Sequence, residues 1–264
     1  MPEYQGRRLR QKLDRGEKVL GAWLSSSDPV MNTLMIEAGF DFLLVDMEHA
    51  AINLETLQNM MLLFRGQNTC PLVRVTWHER SWVKWALDCG AEGILFPNVT
   101  SADEARQAVA LVRYPPDGIR GYFPRAASNF LKNTPDYLAD VNQRLHAWIQ
   151  IEDIHALERL DDIFSVPGID GVLIGPADLT LSMGILGQFE HPEFMLALKR
   201  IIAAGARHHI PIGYPADDSV SNALKVLGLG CQVATVGMDW QFMSQAAAKR
   251  LLEVRQGLGG APGE

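Results

Sequence analysis

The chain has 264 residues, of which 47% are hydrophobic, and its 24 Lys and Arg against 31 Asp and Glu give a formal net charge of -7. This length suits either one barrel domain or two small domains. The acidic balance argues against a nucleic-acid-binding protein, because binding to a phosphate backbone needs a concentrated positive face.

The amino terminus and the cysteines bear on where the protein resides. Residues 1–18 are charged and lack the apolar stretch of a secretion signal, and no later segment approaches twenty apolar residues. Cys70, Cys89 and Cys231 are widely spaced and form no CxxC pair, which argues against a disulfide framework and against a thiolate zinc site. We therefore expect a cytoplasmic protein with no membrane partner.

Eight short aliphatic and β-branched runs recur along the chain, each followed by a helix-like stretch. Continuous apolar runs are typical of strands that are covered on both faces of a parallel sheet. The predicted strands are Val19 to Leu24, Phe42 to Val45, Leu72 to Val75, Gly93 to Phe96, Ala147 to Ile151, Gly171 to Ile174, Ile210 to Gly213 and Cys231 to Val236. The predicted helices include Glu55 to Phe64, Ser81 to Cys89, Ala102 to Val112 and Glu193 to Ala206.

Eight alternations of strand and helix predict a closed α/β barrel, the (β/α)8 or TIM fold, in a single domain. The domain spans residues 1–264, with a helical lead-in over 1–17 and a loose Gly-rich tail over 256–264. Two connections, Asn98 to His146 and Gly175 to His209, are longer than a crossover requires, which is typical of a functional loop or lid. The first connection carries Arg113, Arg120 and Arg125.

Polar residues end several of the predicted strands, at the face where barrels of this type hold their active sites. Glu152 and Asp178 close neighbouring strands, and adjacent strands lie about 4.8 Å apart, so the two carboxylates can converge on one ion. Two carboxylates without a thiolate suit a hard cation such as Mg2+ or Mn2+. The alternative is structural: Asp178 caps the helix that starts near Leu179, and Glu152 pairs with an arginine.

Arg74 lies on an apolar strand, where an unpaired guanidinium is costly, so it must meet an anion. That anion is either a structural partner, Asp46 or Glu48, or the oxygen on which the charge of an enolate develops. His49, beside both acids, is typical of a general base oriented by a carboxylate, and equally of a hydrogen-bonded residue at the barrel rim.

The turn Gly175-Pro176-Ala177-Asp178 offers small residues and free backbone N–H groups at a helix start, which suits binding of a carboxylate, although turns of this kind also occur without a ligand. No lysine lies at a predicted strand end, so a Schiff-base mechanism lacks its residue and a metal ion becomes the expected electron sink. The loops after strands seven and eight also lack the paired glycines of a barrel phosphate site, which favours a free oxo acid over a phosphorylated sugar.

Together these motifs resemble the HpcH/HpaI class II aldolase family over about Val19 to Asp239. The resemblance implies a reversible, divalent-metal-dependent aldolase that acts on 4-hydroxy-2-oxo acids, with pyruvate or hydroxypyruvate as the donor and Mg2+, Mn2+ or Co2+ as the cofactor. It also implies a role in the catabolism of aromatic or sugar acids. The motifs that carry it are Gly21-Ala-Trp23, Ala38-Gly-Phe-Asp-Phe-Leu-Leu-Val-Asp-Met-Glu-His49, Val73-Arg74, Ala102-Asp-Glu-Ala-Arg106, Arg113-Tyr-Pro-Pro-Asp-Gly-Ile-Arg-Gly121, Gln150-Ile-Glu152, Gly175-Pro-Ala-Asp-Leu179 and Val236-Gly-Met-Asp239.

The resemblance also assigns roles to residues. Glu152 and Asp178 are implied as the metal ligands, Arg74 as the group that stabilises the enolate oxygen, and His49 with Asp46 as the dyad that moves the hydroxyl proton through water. Asp88 is implied to support the histidine from a neighbouring subunit. The implied substrate-binding residues are Trp23, Gln150, Gly175, Pro176, Ala177 and Asp178.

The chain departs from the family pattern in two places. After Gly121 it reads Tyr122-Phe-Pro-Arg125-Ala-Ala-Ser128, in a loop that shapes the aldehyde side of the family's site, so Arg125 is only a candidate for binding a distal carboxylate. The position of Met47 also varies in the family.

The resemblance further implies a homo-oligomer, a hexamer built as a trimer of dimers that exchange a terminal helix. The apolar helix near Phe242 to Val254 suits that exchange and suits ordinary packing on the barrel equally well. Two other functions stay open: a CoA-thioester lyase of the citramalyl-CoA or malyl-CoA type, and a non-catalytic oxo-acid-binding protein.

Overall fold

A computed structural model describes residues 4–217 and 219–258 of the chain. Eight parallel strands hydrogen-bond in the order β1 to β8 and close into a barrel, which confirms the predicted (β/α)8 fold. The strands are β1 Val19–Leu24, β2 Phe42–Asp46, β3 Cys70–Arg74, β4 Gly93–Phe96, β5 His146–Ile151, β6 Gly171–Ile174, β7 Ile212–Pro215 and β8 Val233–Met238.

Helices cover the outer face of the barrel in the described part of the chain, and α1 precedes the first strand. Their ends follow local capping: Asp28 accepts from Met31 N at the start of α2, and Ser101 and Glu104 form a capping box at the start of α5. The helices are α1 Gln5–Asp14, α2 Pro29–Glu37, α3 Leu54–Leu63, α4 Arg80–Cys89, α5 Ala102–Val112, α6 Thr134–Leu138, α7 Val141–Arg144, α8 Ile154–Leu157, α9 Leu160–Phe164, α10 Pro176–Ser182, α11 Pro192–His208, α12 Val220–Leu229 and α13 Asp239–Gly257.

The last two strands begin two residues later than predicted. Ile210 N bonds to Gly205 O and Cys231 N bonds to Val226 O, so each residue closes the preceding helix and does not enter the sheet. The predicted tail is also shorter than expected at its start, because α13 runs to Gly257. The rest of that predicted tail, from position 259, lies outside the described residues.

Two sets of buried side chains form the core. One set fills the barrel interior and includes Trp23, Phe42, Trp148 and Leu173, with Leu9 of α1 closing the amino end. The other set lies between the strands and the surrounding helices. Large rings inside the barrel are accommodated by glycines on the neighbouring strands: a Cβ on Gly171 would lie 2.7 Å from the Trp148 ring.

Buried ion pairs seal the amino end of the barrel. Arg10 of α1 donates to Asp170 Oδ1 at 2.8 Å, and Arg113 donates to Asp170 Oδ2 at 2.6 Å. His146 on β5 is fully buried, with Nε2 2.8 Å from Gly6 O and Nδ1 accepting from Trp148 Nε1 at 3.3 Å. Arg113, which the sequence placed in a functional connection, thus lies in a structural pair at the end away from the strand-end acids.

Within the described ranges, no helix is both long enough and apolar enough to cross a membrane.

Candidate active site at the carboxyl end of the barrel

The side chains that the sequence singled out at strand ends lie at one end of the barrel. Asp46 and Arg74 are the last residues of β2 and β3, and their Cα atoms are register partners in the sheet. Glu152 follows β5, and Asp178 lies in the first turn of α10, directly after β6. Because all the strands are parallel, their carboxyl ends meet at the same mouth.

Arg74 is 8% exposed and is held on three sides. Asp46 accepts from Nε at 3.0 Å and from Nη2 at 2.8 Å, and the guanidinium carbon lies 4.4 Å from the centroid of the Trp23 ring. Glu48 Oε2 lies 3.2 Å from Nε. The paired, stacked guanidinium is rigid, and its Nη1 has no hydrogen-bond partner among the described residues.

His49 and Glu48 occupy the loop after β2. The His49 side chain is 66% exposed, and its Nε2 lies 3.7 Å from Glu48 Oε2. Asp46 contacts His49 only through the backbone, where His49 N donates to Oδ1 at 3.3 Å. The implied side-chain dyad of His49 with Asp46 is therefore not formed here, because the Asp46 carboxylate is engaged by Arg74, and Glu48 is the acid beside the imidazole.

Glu152 is a buried carboxylate, 7% exposed, with a hydrogen-bond donor on each oxygen. Asn98 N donates to Oε1 at 2.7 Å, and the Gln150 amide donates to Oε2. Burial, together with the negative charges of Asp178 and Glu48, raises the pKa of Glu152 to about 7 against the opposing effects of the Asn98 N–H and the Arg74 guanidinium. The structural alternative, in which Glu152 pairs with an arginine, is not observed, because no arginine in the described part of the chain forms an ion pair with this carboxylate.

Asp178 does not cap α10, since the cap position is Gly175 and no side-chain hydrogen bond caps this helix. The first intrahelical bond runs from Leu179 N to Gly175 O at 2.9 Å, so the N–H groups of Ala177 and Asp178 precede it. Both residues are exposed at the mouth, beside the half-buried Pro176. The helix start is therefore open to an anionic ligand.

Gly175 gives the mouth its close packing. A Cβ there would lie 2.6 Å from the Glu152 Cβ and 2.8 Å from the Gln150 amide nitrogen, so only glycine lets β6 approach these two side chains. The buried Gln150 Oε1 has no hydrogen-bond partner among the described residues. The Gln150 Oε1 therefore offers an acceptor beside the Glu152 carboxylate that no protein donor in the described ranges uses.

The donor set at the mouth fits a hard divalent cation. Glu152 and Asp178 supply carboxylate oxygens. The pKa of Glu48 is raised, as that of Glu152 is, by burial and by the charges of neighbouring acids, here Asp46 and Asp178. Among residues 4–217 and 219–258, no group of three or more His, Cys, Asp or Glu is arranged as an ion site. Two protein ligands would therefore leave several coordination positions to substrate and water.

Two predicted site residues lie elsewhere in the single chain. Asp88 on α4 accepts from Arg120 Nη2 at 2.9 Å and does not contact His49. Arg125 is exposed and donates to Gln58 on α3 at 2.5 Å. Both line a groove of about 570 Å3 between α3, α4 and the loop near Tyr122.

Asn98 is the residue at this site that sequence reasoning missed. It contributes a backbone N–H, and it follows Pro97 directly after β4 with a positive φ of 51°. Asn adopts this left-handed conformation more readily than most residues, so the Pro-Asn pair at a strand end was the available signal.

Comparison with known proteins assigns this barrel to a family. Residues 19–246 match the HpcH/HpaI aldolase/citrate lyase family. The chain is 37% identical over 241 residues to the 4-hydroxy-2-oxo-heptane-1,7-dioate aldolase of Salmonella dublin, which covers 90% of this chain and 91% of that protein.

Solved structures agree with the family match. An HpcH/HpaI aldolase/citrate lyase family protein from Burkholderia cenocepacia J2315 superposes with a TM-score of 0.89 at 34% identity, over 94% of this chain and 99% of the other. The citrate synthase SbnG superposes with a TM-score of 0.83 at 28% identity, over 94% and 97% of the two chains. The resemblance inferred from the motifs is confirmed, and the chain belongs to the HpcH/HpaI aldolase/citrate lyase family and is an enzyme of the carbon–carbon lyase class.

Proposed function

We propose that the protein is a divalent-metal-dependent aldolase that reversibly cleaves 4-hydroxy-2-oxo acids to pyruvate, or hydroxypyruvate, and an aldehyde. The similarity to a 4-hydroxy-2-oxo-heptane-1,7-dioate aldolase over 90% of the chain supports the substrate class. The observation that carries the proposal is Glu152, a buried acid whose pKa is raised to about 7 by burial and by neighbouring acids at the barrel mouth.

Glu152 and Asp178 would hold Mg2+, Mn2+ or Co2+. When bound, such a cation supplies a Lewis acid beside the keto oxygen of the substrate. The unpartnered Gln150 Oε1 and the open helix start at Ala177 provide polar groups next to it, and the N–H groups of Ala177 and Asp178 receive the substrate carboxylate. Gly175 and Pro176 form the wall behind that carboxylate.

Cleavage breaks the C3–C4 bond, and its electron pair passes into the enolate of pyruvate, with negative charge developing on the C2 oxygen. Arg74 stabilises that oxygen through its free Nη1, because Asp46 fixes the other side of the guanidinium and Trp23 supports its face. Positioning by Asp46 means that the guanidinium does not reorganise during the reaction.

His49 accepts the proton of the 4-hydroxyl through water as the aldehyde forms, and a proton delivered from water to C3 of the enolate then gives the oxo acid. In the direction of addition both proton transfers run in reverse. Its exposure at the mouth leaves it accessible to water, and Glu48 at 3.7 Å stabilises the charged imidazolium.

The assembly belongs to the proposal as well. We infer a homo-oligomer, a hexamer arranged as a trimer of dimers, in which Asp88 approaches the histidine of a neighbouring subunit. Exposed apolar side chains on α13, such as Trp240, Met243 and Leu251, support an interface there. Sedimentation equilibrium tests it, and a monomer at micromolar concentration contradicts it. The cytoplasmic location stays a prediction.

The test is a coupled assay that detects pyruvate released from 4-hydroxy-2-oxo acids of different aldehyde length and charge, with Mg2+, Mn2+ or Co2+ and with a chelator. We expect release that depends on the cation and is abolished in Glu152→Ala. Undiminished release after thorough chelation contradicts the metal role. Binding of oxo acids without release of pyruvate from any compound identifies a non-catalytic binding protein, and turnover of a CoA thioester alone identifies the alternative lyase.

Among acceptors in the addition direction, a preference for succinic semialdehyde over neutral hydroxyaldehydes supports a carboxylate-binding role for Arg125. The reverse preference counts against that role.

A further inference from the structure

A short turn after β4 presents a backbone N–H to the Glu152 carboxylate. Its residues are Pro97 and Asn98, and Asn98 adopts φ 51°, a left-handed conformation that costs a non-glycine residue about 1 kcal/mol. In this conformation Asn98 N points at Glu152 Oε1, 2.7 Å away. The neighbouring Val99 N donates to Gln150 O at 3.2 Å and joins the same turn to β5.

Two side chains from outside the turn hold it in place. His78, in the loop after β3, lies with Nε2 2.5 Å from Pro97 O, so this nitrogen carries the proton and donates. On the other side of the turn, Glu104 accepts from Thr100 N at 2.7 Å and from Thr100 Oγ1 at 2.9 Å. The turn is therefore fixed on both flanks of Asn98.

His78 is packed as a rigid support. It is 8% exposed, stacks on Trp77 with ring centroids 5.3 Å apart, and meets the edge of Phe96 at 5.8 Å. The contact of His78 with Glu152 is indirect, through the Pro97 carbonyl and the Asn98 N–H.

The Glu152 carboxylate needs such support because its terminal torsion is broad and does not by itself fix the plane of the two oxygens. Gln150 on β5 donates to Oε2 and Asn98 N in the turn after β4 donates to Oε1, so these two donors set that plane. The remaining lone pairs of the carboxylate are then directed away from both donors.

We propose that His78 and Asn98 are positioning residues: His78 tethers the Pro97 carbonyl, and the left-handed Asn98 thereby holds its N–H on Glu152 and orients that carboxylate toward a divalent cation. The inference rests on the proposed function, since it takes Glu152 as a cation ligand. Supporting hydrogen bonds of this kind change metal affinity by about 10- to 100-fold in other sites.

The test is Mn2+ binding to the chelator-treated, metal-free protein, measured as free Mn2+ by electron paramagnetic resonance. We expect His78→Phe, which keeps an aromatic ring between Trp77 and Phe96, to weaken Mn2+ affinity about tenfold. His78→Gln retains an N–H donor and should recover most of that loss. His208→Phe is the matched control, because His208 lies at the opposite end of the barrel and bonds to Asp161.

A second pair of variants separates the backbone from the side chain at Asn98. Asn98→Gly keeps the N–H and tolerates a positive φ, so we expect wild-type Mn2+ affinity within about twofold. Asn98→Val disfavours this conformation, and we expect a loss similar to that of His78→Phe. The thermal unfolding midpoint of each metal-free variant shows whether a loss of affinity merely follows a loss of folded protein.

Equal Mn2+ affinity in wild type, His78→Phe and Asn98→Val overturns the positioning role and leaves the metal-dependent function intact. So does an equal loss in His78→Phe and His78→Gln, because rescue by a donor is required. A wild-type protein that binds no Mn2+ overturns both this inference and the proposed metal site.

Discussion

Asp170 at the amino end of the barrel and Glu152 at its carboxyl end both carry a largely buried carboxylate: 7% of the Asp170 side chain and 7% of the Glu152 residue are exposed. Their pKa values nevertheless move in opposite directions. Burial acts to raise the pKa of Asp170, but Arg113 and Arg10 outweigh it and hold that pKa below its usual range. At Glu152 burial dominates and two other acids add to it, so the pKa rises to about 7.

The opposite pKa shifts separate a buried acid that stabilises the fold from a buried acid that belongs to the candidate active site. A buried acid matched by guanidinium groups is a structural element, and its removal should cost stability. A buried acid crowded by other acids is destabilised in its charged form, which is typical of a site completed by a ligand.

The largest effect on stability is expected from Asp170→Asn. The variant leaves Arg10 and Arg113 buried without a counter-charge, so we expect a loss of about 3–5 kcal/mol in the free energy of unfolding, measured by urea denaturation. The folded fraction should keep its turnover rate. Asp161→Asn is the control, since Asp161 forms an exposed pair with Arg207 and should change stability little. Equal losses in the two variants contradict the structural role of Asp170.

At the opposite end, Glu152→Gln should leave the barrel folded and lower kcat/KM for pyruvate release about a thousandfold, because a neutral amide oxygen binds a hard cation much more weakly than a carboxylate does. That factor corresponds to about 4 kcal/mol. Glu158→Gln, an exposed acid in the same connection, is the control and should retain activity. A drop in stability without a drop in turnover would place Glu152 in the same class as Asp170.

The two acids also predict opposite pH dependence of stability. The folded state raises the pKa of Glu152 from 4.5 to about 7, so it binds an extra proton in that window. Glu152 therefore stabilises the metal-free protein at low pH, and this contribution falls by at most about 3 kcal/mol as the pH rises through 7. Asp170, with a lowered pKa, contributes stability above its usual range and loses it as the pH falls.

Urea denaturation in the presence of a chelator, from about pH 5 to about pH 8, checks the prediction for Glu152. The difference between wild type and Glu152→Gln isolates the residue, and saturating Mn2+ should remove the decline because the cation binds the carboxylate. A difference that stays constant with pH contradicts the raised pKa.

The sequence predicts the barrel well because strands covered on both faces are continuous apolar runs, and all eight were found. It places the start of β7 and of β8 two residues too early. Ile210 and Cys231 are apolar like strand residues, but their N–H groups bond to the preceding helices. Both residues are buried although neither belongs to a strand, so an apolar residue at such a boundary does not tell whether the helix ends or the strand begins there.

The residues at the barrel mouth could be predicted only in part, because only some of them act through their side chains. Asp46, Arg74, Glu152 and Asp178 carry their chemistry in side chains, and polar side chains at the ends of apolar runs are visible in a sequence. Asn98 acts through a backbone N–H whose direction depends on the conformation of the Pro97–Asn98 turn, and that conformation follows from packing that the residue name does not encode. The pair between Arg10 and Asp170 joins residues 160 positions apart, so no local pattern announces it.

The smallest of these effects is expected at Arg74. This residue is ion-paired with an acid, as Arg10 and Arg113 are at the amino end, but it lies at the mouth and has a proposed role in the reaction. Arg74→Lys keeps the positive charge but cannot engage Asp46 through two nitrogens while directing a third at substrate. We expect kcat for pyruvate release to fall about a hundredfold with little change in Mn2+ affinity, because the guanidinium stabilises the enolate and does not hold the ion. Steady-state kinetics with parallel Mn2+ titration measures both. If instead the Mn2+ affinity falls and kcat at saturating Mn2+ is preserved, Arg74 serves to organise the acids around the ion, and its pairing with Asp46 is structural in the same sense as that of Asp170.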